Sequence, residues 1–166
     1  MNSRERVLTA LHRREPDRVP YCELGIDRAL AVRLMGWDEE IGQAANLEAN
    51  AYTVSEARDL AAYLELDNLS YVLRAPVYAD KVPGQDGRLF YGEGLIRQES
   101  DLERIDLPDP EDDALYADAA EFLAHRGEYA VFFVTRLGLF PTMLSMGMEA
   151  FCAALYENRP LVEIGR

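Results

Sequence analysis

Three short, almost uninterrupted apolar runs, separated by stretches of helical periodicity, limit the fold of this chain more than any other feature. The sharpest is Tyr129-Ala130-Val131-Phe132-Phe133-Val134, which ends at Thr135-Arg136-Leu137-Gly138. Val19-Pro20-Tyr21-Cys22-Glu23-Leu24-Gly25 and the stretch from Asn68 to Leu73 have the same character. A strand with one wet face alternates polar and apolar residues, whereas a run without alternation is covered on both faces. Buried strands that alternate with helices give a parallel sheet clothed by helices. The expected class is therefore α/β, with about three parallel strands.

Between these runs the helical signals are local. Asn2 or Ser3 caps a helix reaching about Arg13, with Glu5 three residues after Asn2 as in a capping box and Val7, Leu8 and Leu11 as its apolar stripe. Arg14-Glu15-Pro16-Asp17-Arg18 breaks it, because the residue before a proline disfavours helix. Residues ~45–64 carry the longest helical pattern, through Leu47, Ala51, Val54, Ala61 and Leu64. Pro83-Gly84-Gln85-Asp86-Gly87 is dense in turn residues and separates extended pieces at Val77–Val82 and Arg88–Tyr91, with a third at Leu95–Gln98. Residues 76–100 thus form a small antiparallel insert. Ser100 is expected to cap a short helical turn. Asp112 or Asp113 opens a helix carrying Leu115, Ala119, Phe122 and Leu123 and closed by Gly127. Helices are expected at about Phe140–Ser145 and Met148–Tyr156, and Pro160 starts another.

Charge and cysteine usage exclude several classes of function. The chain carries 30 acidic and 17 basic side chains, a net charge of −13. A field of that sign repels phosphate backbones, so nucleic acid is not an expected partner. Much of the excess lies between Glu99 and Asp113, where only Arg104 opposes eight carboxylates. That stretch reads as a solvated connector, with an acidic docking surface as the alternative. Cys22 and Cys152 are too few and too distant for a disulfide framework, and the residues around Met1–Arg14 lack the apolar run of a secretory signal. No window approaches the ~18 apolar residues of a membrane span. The expected setting is cytoplasmic, with no membrane partner. His12 and His125 stand apart from both cysteines, and no His-x-Cys, Cys-x-x-Cys or His-Glu-x-x-His occurs, so the chain offers no metal site by itself.

The segment Asn2-Ser3-Arg4-Glu5-Arg6-Val7-Leu8, continuing to Arg14-Glu15-Pro16-Asp17-Arg18-Val19-Pro20, resembles the uroporphyrinogen decarboxylase superfamily. That superfamily holds the porphyrinogen decarboxylases and the cobamide-dependent methyltransferases, and the motif is nearer the methyltransferase-like branch. Leu64-Glu65-Leu66-Asp67, Phe140-Pro141-Thr142, Met146-Gly147-Met148-Glu149-Ala150-Phe151 and Leu155–Val162 are similar to later parts of the family. The resemblance implies a (β/α)8 TIM-type barrel, which needs ~250 residues or more. With 166 residues the chain is expected to be a single domain, 1–166, forming the N-terminal part of such a barrel. Catalysis then requires a second half, supplied by self-association or by a partner.

The resemblance also ranks the activities. The decarboxylases follow their first strand with an arginine-rich motif that grips substrate carboxylates, a task suited to guanidinium forks. The matching place here is Glu23-Leu24-Gly25-Ile26-Asp27-Arg28, net acidic, and Arg74 stands where the family has its catalytic aspartate. This favours a corrinoid-dependent methyltransferase over decarboxylation of a tetrapyrrole, with a non-catalytic binding or assembly subunit as the third reading. The resemblance implies that the thiol-activating zinc of the methyltransferases is held by the second half, so this chain alone holds no cofactor.

Active sites of such barrels form past the C-terminal ends of strands. The candidate substrate-binding residues are accordingly Tyr21 and Glu23 after the first strand, Tyr71 and Arg74 at the second, and Thr135 and Arg136 at the third. Arg74 and Arg136 suit an anionic substrate or the amide and phosphate periphery of a corrinoid, or else balance neighbouring carboxylates. Glu23 is a ligand or proton-transfer candidate, or a salt-bridge partner on the rim. For Tyr71 the preferred reading is core, and for Thr135 a helix cap. Cys22 has no basic neighbour in sequence to activate it and reads as a small buried residue.

Overall fold

The structure, a computed structural model, describes residues 1–37, 51–85, 89–106, 108–135, 138–158 and 162. Six α-helices and four strands alternate among them: α1 (Ser3–Leu11), α2 (Arg28–Met35), α3 (Val54–Tyr63), β1 (Asn68–Val72), β2 (Ala79–Pro83), β3 (Leu89–Gly94), α4 (Ala117–Ala124), β4 (Ala130–Val134), α5 (Leu139–Met146) and α6 (Met148–Glu157). Two 3-10 turns, Glu99–Arg104 and Asp113–Tyr116, complete the set. The chain divides into two compact units, each assembled from separate segments.

The first unit holds α1 to α3, β1, α4 and β4. Asn2 and Glu5 cap α1 reciprocally, and Thr53 and Glu56 do the same for α3. That box starts α3 at Val54, so residues 51–53 are not helical as the periodicity had suggested; 45–50 lie outside the described residues. Helix α2 has no counterpart among the sequence expectations. Asp27 caps it, its side chain accepting from the Leu30 amide at 3.2 Å, and Gly36 ends it at φ 66°. β1 and β4 pair in parallel, from Asn68 beside Ala130 to Val72 beside Val134. α1 packs on both strands and α3 on β1. Val7, Leu60, Leu69 and Phe122 are almost fully buried.

The expectation of a first buried strand at Val19–Gly25 is corrected. The segment runs beside β1 in the same direction, but one backbone bond and the side chains of Asp67, Asn68 and Ser70 hold it in place of a continuous ladder. Asp67 N–H donates to the Tyr21 carbonyl at 2.7 Å, and the Asp67 carboxylate accepts the Tyr21 amide at 2.9 Å. The Asn68 side chain accepts from the Glu23 amide and donates to the Glu23 carbonyl, each at 2.9 Å, and Ser70 Oγ donates to the same carbonyl. Pro20 has no donor to offer. Val19 is 84% exposed and Leu24 60%, so the run is an edge and not a core strand. The parallel sheet among the described residues therefore has two strands, not three.

The second unit holds β2, β3, the Glu99–Arg104 turn, α5 and α6. β2 and β3 are antiparallel, the small hairpin expected of this stretch, with an irregularity between Ala79 and Lys81. Leu95–Gln98 is not a third strand. Leu95 N–H turns to the Tyr78 carbonyl and Ile96 N–H to the Ser145 carbonyl, both at 2.9 Å. Asp101, not Ser100, caps the 3-10 turn, its carboxylate accepting from the amides of Arg97 and Gln98. A cluster of Ile96, Met146, Phe151, Ala154 and Val162 forms this unit's core. Gly94 lies against the α5–α6 corner, where a Cβ would fall 2.3 Å from the Met146 carbonyl carbon and the Gly147 nitrogen. The helix expected from Pro160 lies outside the described residues, apart from Val162. Among the described residues no single helix is long and apolar enough to cross a membrane; α5 and α6 reach that only together and are bent by 106°.

Candidate functional site

The residues that hold the first unit together gather at the N-terminal end of β1. Asp67, directly before the strand, is fully buried. Its carboxylate accepts from Arg6 Nη1, from both terminal nitrogens of Arg18 at 2.9 and 3.1 Å, and from the Tyr21 amide. Arg6 turns its other nitrogens to Asp17, with Nε at 2.6 Å from Oδ1 and Nη2 at 3.0 Å from Oδ2. The Met1 ammonium closes on Asp17 at 3.1 Å. Burial pushes the Asp67 carboxyl up, but the hydrogen bonds from Tyr21, Ser3 and Arg6 outweigh it, and the group is held below its usual range. The Arg6 hydrogen bond likewise holds Asp17 low. Asp67 thus fastens α1 and the 14–20 segment to the sheet as a carboxylate at neutral pH.

Two of the candidate residues follow the opposite, C-terminal ends of β1 and β4. Arg74 follows Val72 by two residues and is half-buried, and Thr135 follows Val134 directly and is exposed. In parallel α/β sheets, ligands meet the chain beyond these ends, and N-terminal ends serve stability. The motif residues Asp17 and Arg18 lie at the stability end.

The structure sorts the sequence candidates accordingly. Tyr21 and Glu23 come together along β1; Tyr21 is 50% exposed and the Glu23 side chain faces outward from a backbone pinned by Asn68 and Ser70. Tyr71 is buried, edge-on to Phe122 at 5.1 Å and stacked on Phe133 at 5.8 Å, which makes it core. Burial pushes its phenol up, and Asp118 adds to the shift. Arg74 and Thr135 belong to the second unit, and Arg136 lies outside the described residues. Cys22 is half-buried and its thiol is pushed up by burial first and by Asp67 second, which opposes a nucleophilic role.

Asn68, Ser70 and Asp67 were not singled out by the sequence reading. Their signal was the polar pair Asp67-Asn68 set directly against an apolar strand, since a buried polar side chain needs partners and so marks a junction. A second cluster surrounds Arg28, whose guanidinium lies 5.2 Å from the Trp37 ring centre and 5.3 Å from that of Tyr52. It donates to Glu56 at 2.7 Å and to the Ala51 carbonyl at 3.0 Å. The Tyr52 phenol, donating to the Ile26 carbonyl at 2.7 Å, is pushed up to about 12, chiefly by burial.

Among the described residues no group of three or more His, Cys, Asp or Glu side chains could hold a metal ion. The polar groups that follow the strand ends are a guanidinium at Arg74 and a hydroxyl at Thr135, both hydrogen-bond donors.

No protein-family model matches the chain, and no curated protein sequence matches it either. Among solved structures, a methyltransferase from Methanosarcina mazei superposes with a TM-score of 0.64 at 13% identity. The match covers 99% of this chain and 51% of that one, so the chain spans about half the length of the methyltransferase. At that identity the likeness is one of fold: the chain is similar, from end to end, to half of a methyltransferase.

Proposed function

We propose that this chain supplies one half of a (β/α)8 barrel of the uroporphyrinogen decarboxylase superfamily, nearer its cobamide-dependent methyltransferase-like branch. The completed sheet transfers a methyl group between a corrinoid and a small acceptor. The observation that carries this reading is the match of 99% of the chain to half of a methyltransferase, with Arg74 and Thr135 just past the ends of the parallel pair. A bound corrinoid would supply the methyl carrier. Arg74 and Thr135, which follow the ends of β1 and β4 in the chain, would hold its polar rim. The complementary half holds the metal.

A porphyrinogen, with several carboxylates, is disfavoured by the Glu23–Asp27 stretch and by the chain's net charge of −13. The test is titration of the purified chain with methylcobalamin and with coproporphyrin, read by quenching of its single tryptophan, Trp37. Saturable quenching by methylcobalamin, weakened about tenfold in Arg74→Ala by loss of one charge-assisted contact, supports the proposal. Binding of the porphyrin alone, or of neither, overturns it.

A further inference from the structure

Four described groups of the first unit converge on one cation. The Arg28 guanidinium carbon lies 5.2 Å from the Trp37 ring centre and 5.3 Å from that of Tyr52, within the range at which a ring face attracts positive charge. The two rings meet edge to face, 6.3 Å apart with 61° between their planes, and stand as two walls. Oxygens supply the rest: Nη2 donates to Glu56 Oε1 at 2.7 Å and Nη1 to the Ala51 carbonyl at 3.0 Å. The walls are anchored by contacts that do not pass through Arg28. The Tyr52 phenol donates to the Ile26 carbonyl at 2.7 Å. Glu56 Oε2 accepts from the Thr53 amide at 2.8 Å and from its hydroxyl at 3.0 Å, which leaves Oε1 to the guanidinium. The Trp37 amide donates to the Val32 carbonyl at 3.1 Å, just past the left-handed Gly36. A site whose parts hold one another in place costs little to organise when a ligand arrives.

We infer that Trp37, Tyr52, Glu56 and the Ala51 carbonyl form a receptor for a guanidinium-class cation, occupied in this chain by its own Arg28. Two ring faces and two oxygens suit a flat cation with donors on several nitrogens, whereas an ammonium is a compact, strongly hydrated charge. The chain's net charge of −13 also favours a cation over an anion. Arg28 holds the site because its tether gives it a high effective concentration, so a free cation competes only once the tethered one is removed. None of these groups takes part in the proposed corrinoid contacts.

The test empties the site and refills it. Arg28→Ala removes the tethered cation, and methylguanidinium is then titrated into the purified variant, with methylammonium as a control of equal charge. Trp37 is the only tryptophan and reports on its own wall of the site. Millimolar methylguanidinium should change Trp37 fluorescence saturably and raise the melting temperature of Arg28→Ala, and methylammonium should do neither. The wild-type chain should show no saturable response, because its site is filled. Adding Glu56→Gln to Arg28→Ala should weaken the response about tenfold by loss of the charge-assisted contact, while glutamine still serves the Thr53 capping box. If Arg28→Ala does not fold alone, refolding from urea becomes the readout. Native dichroism recovered with methylguanidinium, and not with methylammonium, then supports the inference. An equal response in wild type and Arg28→Ala overturns it. So does a response indifferent to Glu56→Gln, equal rescue by methylammonium, or no response at all.

Discussion

At the scale of single residues, the chain's best-defined chemistry is the fully buried Asp67 carboxylate. Asp67→Asn keeps the shape and removes the charge, leaving Arg6 and Arg18 without their shared counter-ion. Breaking a buried pair from one side costs ~3 kcal/mol, or about 10 °C of melting temperature in a chain this long. Its pH dependence has a definite sign. Because the folded carboxyl is held below its ordinary value of 3.8, its stabilisation is complete above that value and is lost as pH falls through it. The gap in melting temperature between wild type and Asp67→Asn should be full at neutral pH and close below pH ~4. A gap that widens in acid would contradict this. Arg28 offers a second reading at the same scale. A lysine has no planar fork to set against both rings and two acceptors at once, so Arg28→Lys should cost about 1 kcal/mol. It should also make Trp37 more accessible to acrylamide, measured by fluorescence quenching. The Asp67 and Arg28 clusters were not legible in the sequence because their members are 61 and 28 residues apart. Tyr71, by contrast, was open to a core reading, and an aromatic within an apolar run has Phe122 and Phe133 to pack on.

At the scale of elements, helices announced themselves through caps and strands through apolar runs, but neither signal reports what lies alongside. The Asn2–Glu5 box was readable because both partners sit within one turn. Asp27 and Gly36 bracket α2 as clearly, yet the helix was left unread. The 19–25 run looked like a core strand by composition, and it became an edge because Asp67, Asn68 and Ser70 bind its backbone. Asn68→Ala should loosen that segment at ~1 kcal/mol, since the Glu23 amide loses its acceptor while the Glu23 carbonyl keeps the Ser70 hydroxyl. Native-state hydrogen exchange of the Glu23 amide should then accelerate while β4 remains protected. In the second unit, Gly94 meets backbone and not a yielding side chain. Gly94→Ala should therefore cost ~3 kcal/mol, seen as a lower urea midpoint with an unchanged slope.

At the scale of the whole molecule, charge is the dominant long-range effect. A net charge of −13 on 166 residues opposes compaction, whereas the buried Arg6–Asp67 pair is little affected by screening. Melting temperature in dilute solution should accordingly rise by a few degrees between ~0.02 M and ~0.5 M sodium chloride, measured by calorimetry; a fall would mean that exposed ion pairs outweigh self-repulsion. The sequence by itself determined the α/β class, the parallel relation of two runs, the small hairpin and the terminal helix pair, because each follows from local periodicity, caps and turn residues. Only the tertiary structure decided that residues 19–25 form an edge, that the 14–20 motif serves the N-terminal, stability end of β1, and that Tyr71 belongs to the core. Those outcomes depend on hydrogen bonds and ring contacts between residues far apart in the chain, and such contacts leave no period in the sequence.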